Sequence, residues 1–143
     1  MTALHSYRGA GPLAIAVAVC TLWGGAVAAA KPPLRDVARI DNGLFYVALA
    51  NEIRKSCDSI VARPLKAIFT MQALKRHAKD MGYTEAEIDA YTSSEAEKDR
   101  MRARGAAFYE ARGIDPSNPD DMCTLGRAEI ETHSQIGVLL RAK

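Results

Sequence analysis

Aromatic side chains are scarce in this chain. Phe, Trp and Tyr together make up 6% of it, with a single Trp. Ala is abundant instead, which argues against a β-sandwich and for helices packed closely through small residues. An excess of charge of one sign is also missing. The formal net charge is +2. Arg8 is the only charged residue before Lys31, so the rest of the chain carries 18 basic and 17 acidic side chains. That near balance gives no electrostatic reason to expect nucleic acid or an anionic surface as a partner. The common signatures of chemistry are absent too: no phosphate loop, no dinucleotide glycine fingerprint, no H-E-x-x-H, no G-x-S-x-G, no C-x-x-C-H. Their absence does not exclude an enzyme, but it removes the usual ways of recognising one.

What is present begins with an address. Residues 1–30 read as a secretory signal. Arg8 supplies the positive n-region, Leu13 to Trp23 the apolar stretch, and Ala28-Ala29-Ala30 the small-x-small cleavage pattern. The cut is placed before Lys31, and the periplasm is the expected destination. The competing reading is a retained anchor, because Pro12 to Ala30 is 19 residues without a charge, just long enough to span a bilayer. Gly24 and Gly25 followed by an Ala run favour processing. A lipoprotein reading of Cys20 suffers from Val19, which stands where a small residue is wanted.

Processing would discard Cys20 and leave Cys57 and Cys123, an even pair in an oxidising compartment. They have only each other to pair with inside the chain. The bridge would close a loop worth about 4 kcal/mol in lost unfolded-state entropy. The alternatives are an intermolecular bridge or two free thiols. The spacing rules out a C-x-x-C redox site. Two thiols make a poor zinc site, and His77 and His133 show no ligand spacing with them, so no metal is expected.

In chain order, Lys31-Pro32-Pro33 is a lead-in that excludes helix. A short turn or helix over Leu34 to Ile40 follows, then a break at Asp41-Asn42-Gly43. The first long helix is expected from Leu44 to Ser56, with Phe45, Tyr46, Leu49, Ala50, Ile53 and Cys57 on one face. A second is expected over Ala62 to Met81, with Pro64 in its first turn and Gly82 as its stop. Leu65, Ile68 and Phe69 widen its apolar stripe, which predicts an enclosed start. Thr84 to Glu87 and Ser94 to Glu97 are two capping boxes, opening a short helix and one running to Arg112. Met101, Gly105, Phe108 and Tyr109 give the latter its buried side. Asn118 and Pro119 start a last helix, interrupted near His133-Ser134, with Ser134 capping a final turn through Leu140. No strand is convincing. The reading is all-α: a single compact bundle of five or six helices over residues 31–143, with one disulfide, after an N-terminal signal peptide.

Glu129 is the first candidate for function. On a wheel started at Met122 it falls within the apolar arc with Ile130 and His133, so it must be paired, hydrogen-bonded or protonated. His133 lies one turn on, and Arg54 on the first long helix is positioned to face it. An acid–base pair in a cleft is the functional reading; a buried polar latch of Glu129, His133 and Arg54 is the favoured one. No catalytic residue and no cofactor is assigned. Asp115 to Asp121 lacks the central glycine and closing Glu of a calcium loop, and Pro116 and Pro119 interrupt it, so turn and cap duty explains it. Lys98, Arg100, Arg102 and Arg104 interleave with Glu95, Glu97 and Asp99, which reads as a solvated face.

The blocks Asn42 to Cys57, Gly82 to Tyr91 and Cys123 to Ile130 resemble an uncharacterised alphaproteobacterial exported family, domain of unknown function 5333. The resemblance covers essentially the whole chain after the leader. It implies a small exported protein with one cysteine in the first block and one in the last, and it carries no catalytic residues. A loose association of that family with gene neighbourhoods of respiratory complex I has no support in these residues. The expected function is therefore an exported binding or accessory module without catalysis, with an unidentified protein as its partner. The alternatives are a small envelope enzyme using Glu129 and His133, and a membrane-anchored accessory protein of a respiratory or envelope complex. Membrane contact is expected only if the leader is retained.

Overall fold

The computed structural model describes residues 30–143, so the expected leader lies outside the described residues except for Ala30. Among the described residues there are five α-helices: α1 (Ala38–Ser56), α2 (Pro64–Asp80), α3 (Glu85–Ser93), α4 (Glu95–Glu110) and α5 (Pro119–Glu131). Strands β1 (Ile60–Ala62) and β2 (Leu140–Ala142) pair antiparallel, with Val61 opposite Arg141. Single 3-10 turns cover Leu34–Asp36 and Gly137–Leu139. The bundle expected from the sequence is therefore the fold, with one small sheet added. No helix among the described residues is long and apolar enough to cross a membrane.

Helix α1 is the spine. It was expected to begin at Leu44, after a break at Asp41-Asn42-Gly43, but it starts at Ala38 and runs through all three residues. Their local preference is overridden by tertiary contacts. Asp41 is buried and takes its hydrogen bonds from other helices. Gly43 lies against Leu74 of α2, whose Cδ2 would be 2.6 Å from an added Cβ. The Gly that suggests a break is thus the point where α2 closes on α1.

Pro64 opens α2 at its first position, as expected. Leu74 and Ala78 are buried, while Leu65 and Phe69 are 66% and 63% exposed and Ile68 is exposed too. The enclosed start predicted for this helix is wrong. At 3.6 residues per turn, Ala67, Leu74 and Ala78 share one side, positions 65 and 69 fall on the opposite side, and position 68 lies on the flank. Gly82 ends the segment with φ +87°, a conformation that suits only a residue without Cβ. Thr84 and Glu87 then form a complete capping box. Ser94 completes only half of one: its hydroxyl accepts from the Glu97 amide, but the Glu97 side chain is drawn to Arg35 and Arg100.

Two apolar clusters share α1. The larger gathers Phe45, Leu49, Ile53, Ile60, Met122, Leu125, Ile136 and Leu140. The smaller packs Leu34, Val37 and Ile40 on Ala78, Tyr83 and Ile88. Helix α5 reaches α1 and β1 at Gly126, where an added Cβ would lie 2.6 Å from Ile53 Cγ2. Cys57, fully buried just after α1, is bonded to Cys123 on α5, with Cα atoms 5.0 Å apart. The chain end is the main departure from the expected helices. Leu140 lies in β2 rather than closing a helical turn, and Arg63 and Lys143 extend the pairing by donating to Leu139 and Ser59 carbonyls at 2.8 and 3.0 Å. A three-residue strand is too short to show alternation in sequence, and tertiary pairing decides it.

Candidate functional site

Between α1 and α4 lies a cleft of about 610 Å3, within the range of small-molecule sites. Its construction begins behind it, at Asp41. The Asp41 carboxylate accepts hydrogen bonds from Tyr91 Oη at 2.8 Å, from Arg104 Nη1 at 2.8 Å and from Arg100 Nη2. Arg104 also donates to Asn42 Oδ1 at 2.6 Å and lies over the Phe45 ring, 4.0 Å from its centre. Arg100 donates to Glu97 Oε2 at 2.9 Å, and Arg35 pairs with the other Glu97 oxygen. This network joins α1, α3 and α4. It raises the Arg100 pKa, chiefly through the hydrogen bond to Asp41, and holds that guanidinium charged. Burial, then the Asp41 hydrogen bond, pushes Tyr91 up to about 12.

The basic run of α4 is therefore not a uniform solvated face. Arg100 and Arg104, four residues apart, turn to α1. Lys98 and Arg102, on the neighbouring face, stay exposed and pair with Glu95 and Asp99. The i, i+4 periodicity divides the run between two environments.

Leu44, Phe45, Ala48 and Leu49 form one wall of the cleft; Met101, Gly105 and Tyr109 form the other; Met71 and Tyr91 also line it. Gly105 is buried within α4, yet an added Cβ there would meet nothing within 4 Å. A helix-interior Gly costs about 1 kcal/mol relative to Ala, and no packing contact requires it at this position. Its effect is to widen the cleft.

Polar side chains lining the cleft are almost all engaged. Glu52 pairs with Lys55, Lys98 with Glu95 and Arg102 with Asp99. Glu97 and Tyr91 belong to the network, and Thr92 Oγ1 donates to the Ile88 carbonyl at 3.1 Å. Tyr109 is the exception. It is 7% exposed, and its hydroxyl has no hydrogen-bond partner among the described residues. Burial, then the nearby Glu52 charge, raises its pKa.

The residues singled out from sequence sit elsewhere, Glu129 and His133 at the end of α5 and Arg54 on α1. The Glu129 carboxylate accepts from Ser134 Oγ. That hydroxyl in turn accepts from the Ile136 and Gly137 amides at 3.2 and 2.9 Å, so Ser134 caps a turn where expected. His133 leaves the apolar arc because the helix has already stopped. It is exposed, has φ +50°, and its Nδ1 lies 3.0 Å from the Glu131 carbonyl. Its amide bonds to the Ile130 carbonyl and that of Ser134 to Glu129, at 3.2 Å each. This is a Schellman termination with His where Gly is usual. Arg54 is exposed on α1 and donates to Asn51 Oδ1 at 2.7 Å. Glu129, His133 and Arg54 thus each hydrogen-bond to a different neighbour, Ser134, Glu131 and Asn51, and not to one another. In the Asp115 loop, the carboxylate accepts from Ser117 N and Oγ at 2.8 and 2.6 Å, which lowers its pKa. Among the described residues no cluster of three metal-ligating side chains occurs.

Sequence reasoning missed the cleft. One signal was available: Gly105 interrupts an otherwise favourable helix between Met101 and Tyr109, on its buried side. Comparison with curated proteins and with solved structures finds no match. Residues 32–141 match the model of a family of unknown function, DUF5333. On that match, spanning most of its length, the chain belongs to this family of unknown function, DUF5333.

Proposed function

We propose that the protein is an exported module that works by binding, without catalysis of its own, and that the cleft between α1 and α4 is where it binds. The observation that carries this reading is an apolar cleft of ligand size between α1 and α4. The arrangement around Glu129 supports the same reading, since its carboxylate is engaged in capping a turn. Export rests on the leader and agrees with the Cys57–Cys123 bond.

The test is a titration of the full chain, purified as the cell processes it, with the neutral dye N-phenyl-naphthylamine. Saturable fluorescence enhancement is expected, and it should be abolished in Gly105→Leu, whose side chain enters the cleft. Absence of binding, or binding indifferent to that substitution in a folded variant, overturns the reading. Intact mass of the same sample reports whether the chain begins at Lys31. Should Glu129→Gln abolish a turnover activity without lowering Tm, the envelope-enzyme alternative replaces this one.

A further inference from the structure

We infer that the first half of α2 docks on an anionic bilayer surface. Leu65, Ile68 and Phe69 enter the headgroup region, and the cations around them meet lipid phosphates. The inference does not depend on the cleft.

The near balance of charge over the whole chain conceals an uneven distribution. Between Asp58 and Asp80 there are five basic side chains and no acidic one. Residues 132–143 hold Arg141 and Lys143 and again no acidic side chain. The fold brings these two segments together. Strand β1 leads into α2, β2 pairs with β1 so that Arg141 lies opposite Val61, and the Arg63 amide donates to the Leu139 carbonyl. Lys75 and Lys79, toward the end of α2, are neutralised by Glu85. Arg63, Lys66, Arg76 and Arg141 are exposed and have no carboxylate partner among the described residues. Positive charge is therefore concentrated around the start of α2.

The apolar side chains lie among these cations. At 3.6 residues per turn, Leu65, Phe69 and Arg76 share the face turned away from the core, with Lys66 on one flank and Ile68 on the other. Leu65 and Phe69 are 66% and 63% exposed, and Ile68 50%. One exposed Leu needs no explanation, but three neighbouring apolar side chains ringed by unpaired cations have the composition of a membrane-surface helix. Charge selects the occupant. A second copy would set this basic face against itself. A protein partner of ordinary interface size needs about 20–30 residues a side, more than one helix face and a strand end supply. A bilayer sets no such minimum, because each apolar side chain inserts by itself while Lys and Arg keep their charges at headgroup level. The contact is peripheral, since no helix among the described residues is long and apolar enough to cross.

The experiment is flotation of the full chain, purified as the cell processes it, with two kinds of vesicle. One contains phosphatidylglycerol and phosphatidylethanolamine, the other phosphatidylcholine alone. Binding to the anionic vesicles is expected, with release at high salt and little binding to phosphatidylcholine. Lys66→Gln with Arg76→Gln should weaken it about fivefold for each charge removed. Leu65→Gln with Phe69→Gln, which leaves the charge unchanged, should weaken it about tenfold or more. Melting curves of both variants should match the parent, because all four side chains are exposed. No binding to anionic vesicles at low salt, or undiminished binding in either folded variant, overturns the proposal. So does tighter binding to soluble polyglutamate than to the vesicles, which would make the partner an acidic protein. A dimer in sedimentation velocity that Phe69→Gln dissociates would make it a second copy and overturns the proposal equally. The dye titration of the cleft is read separately, so the two readings fail independently.

Discussion

Two residues in this chain behave against their type. Asp41, in a stretch that reads as a helix break, is the acceptor for two arginines and a tyrosine, and its side chain is only 10% exposed. Replacing it with Asn removes the charge but not the bulk, and leaves Arg100 and Arg104 short of a partner. Both guanidiniums remain about a third exposed, so water offsets part of the loss. Asp41→Asn should cost about 2–3 kcal/mol in urea unfolding. His133, which reads as a candidate acid–base group, holds φ +50° at a helix end. A side chain in that region is unfavourable by about 1 kcal/mol, so His133→Gly should raise stability by about that amount, measured in the same way. A fall in stability would show that the imidazole makes a contact that matters. Neither role was legible in sequence, because each depends on a backbone conformation or on partners 50 or more residues away.

At the scale of elements, local signals served well where the interaction is itself local. The Thr84–Glu87 capping box, Asn118 with Pro119, and Gly82 as a stop all lie within one turn of the backbone groups they satisfy. The box also gives a pH-dependent prediction. Glu87 is lowered to about 2, first by its hydrogen bond to Lys31 and then by those to Thr84. A carboxylate depressed in the folded state stabilises fully above its ordinary value of 4.5, and the contribution fades as pH falls toward about 2. An NMR titration should place the Glu87 midpoint near 2, and Lys31→Met should move it back toward 4.5. Elements whose form depends on distant pairing were misread. The strand pair joins Ile60–Ala62 to Leu140–Ala142 across most of the domain. In α2 the apolar residues occupy two faces, and only packing on α1 decides that Leu74 and Ala78 go inside and Leu65 and Phe69 outside.

For the whole molecule, the Cys57–Cys123 bond closes a loop with a separation of 66 residues that contains α2, α3 and α4. Replacing both cysteines with Ala should lower stability by about 4 kcal/mol, read from urea unfolding of the reduced-equivalent variant against the oxidised chain. An equal midpoint for the two would show that the bond restrains little of the unfolded chain. The bridge was legible once the expected leader, with Cys20, is set aside, since Cys57 and Cys123 then have only each other to pair with inside the chain. The cleft was not, because it is the space left between α1 and α4 once the Asp41 network fixes their separation. The helix-rich class, most helix ends and the bridge could be read from the residues alone, because propensity, capping and the pairing of Cys57 with Cys123 act locally or by elimination. Only packing decided that Asp41 ties three helices together, that Ile60–Ala62 pairs with Leu140–Ala142, and that an apolar cleft opens between α1 and α4. Each of these is a relation between distant groups, and its energy is fixed only when packing brings them together.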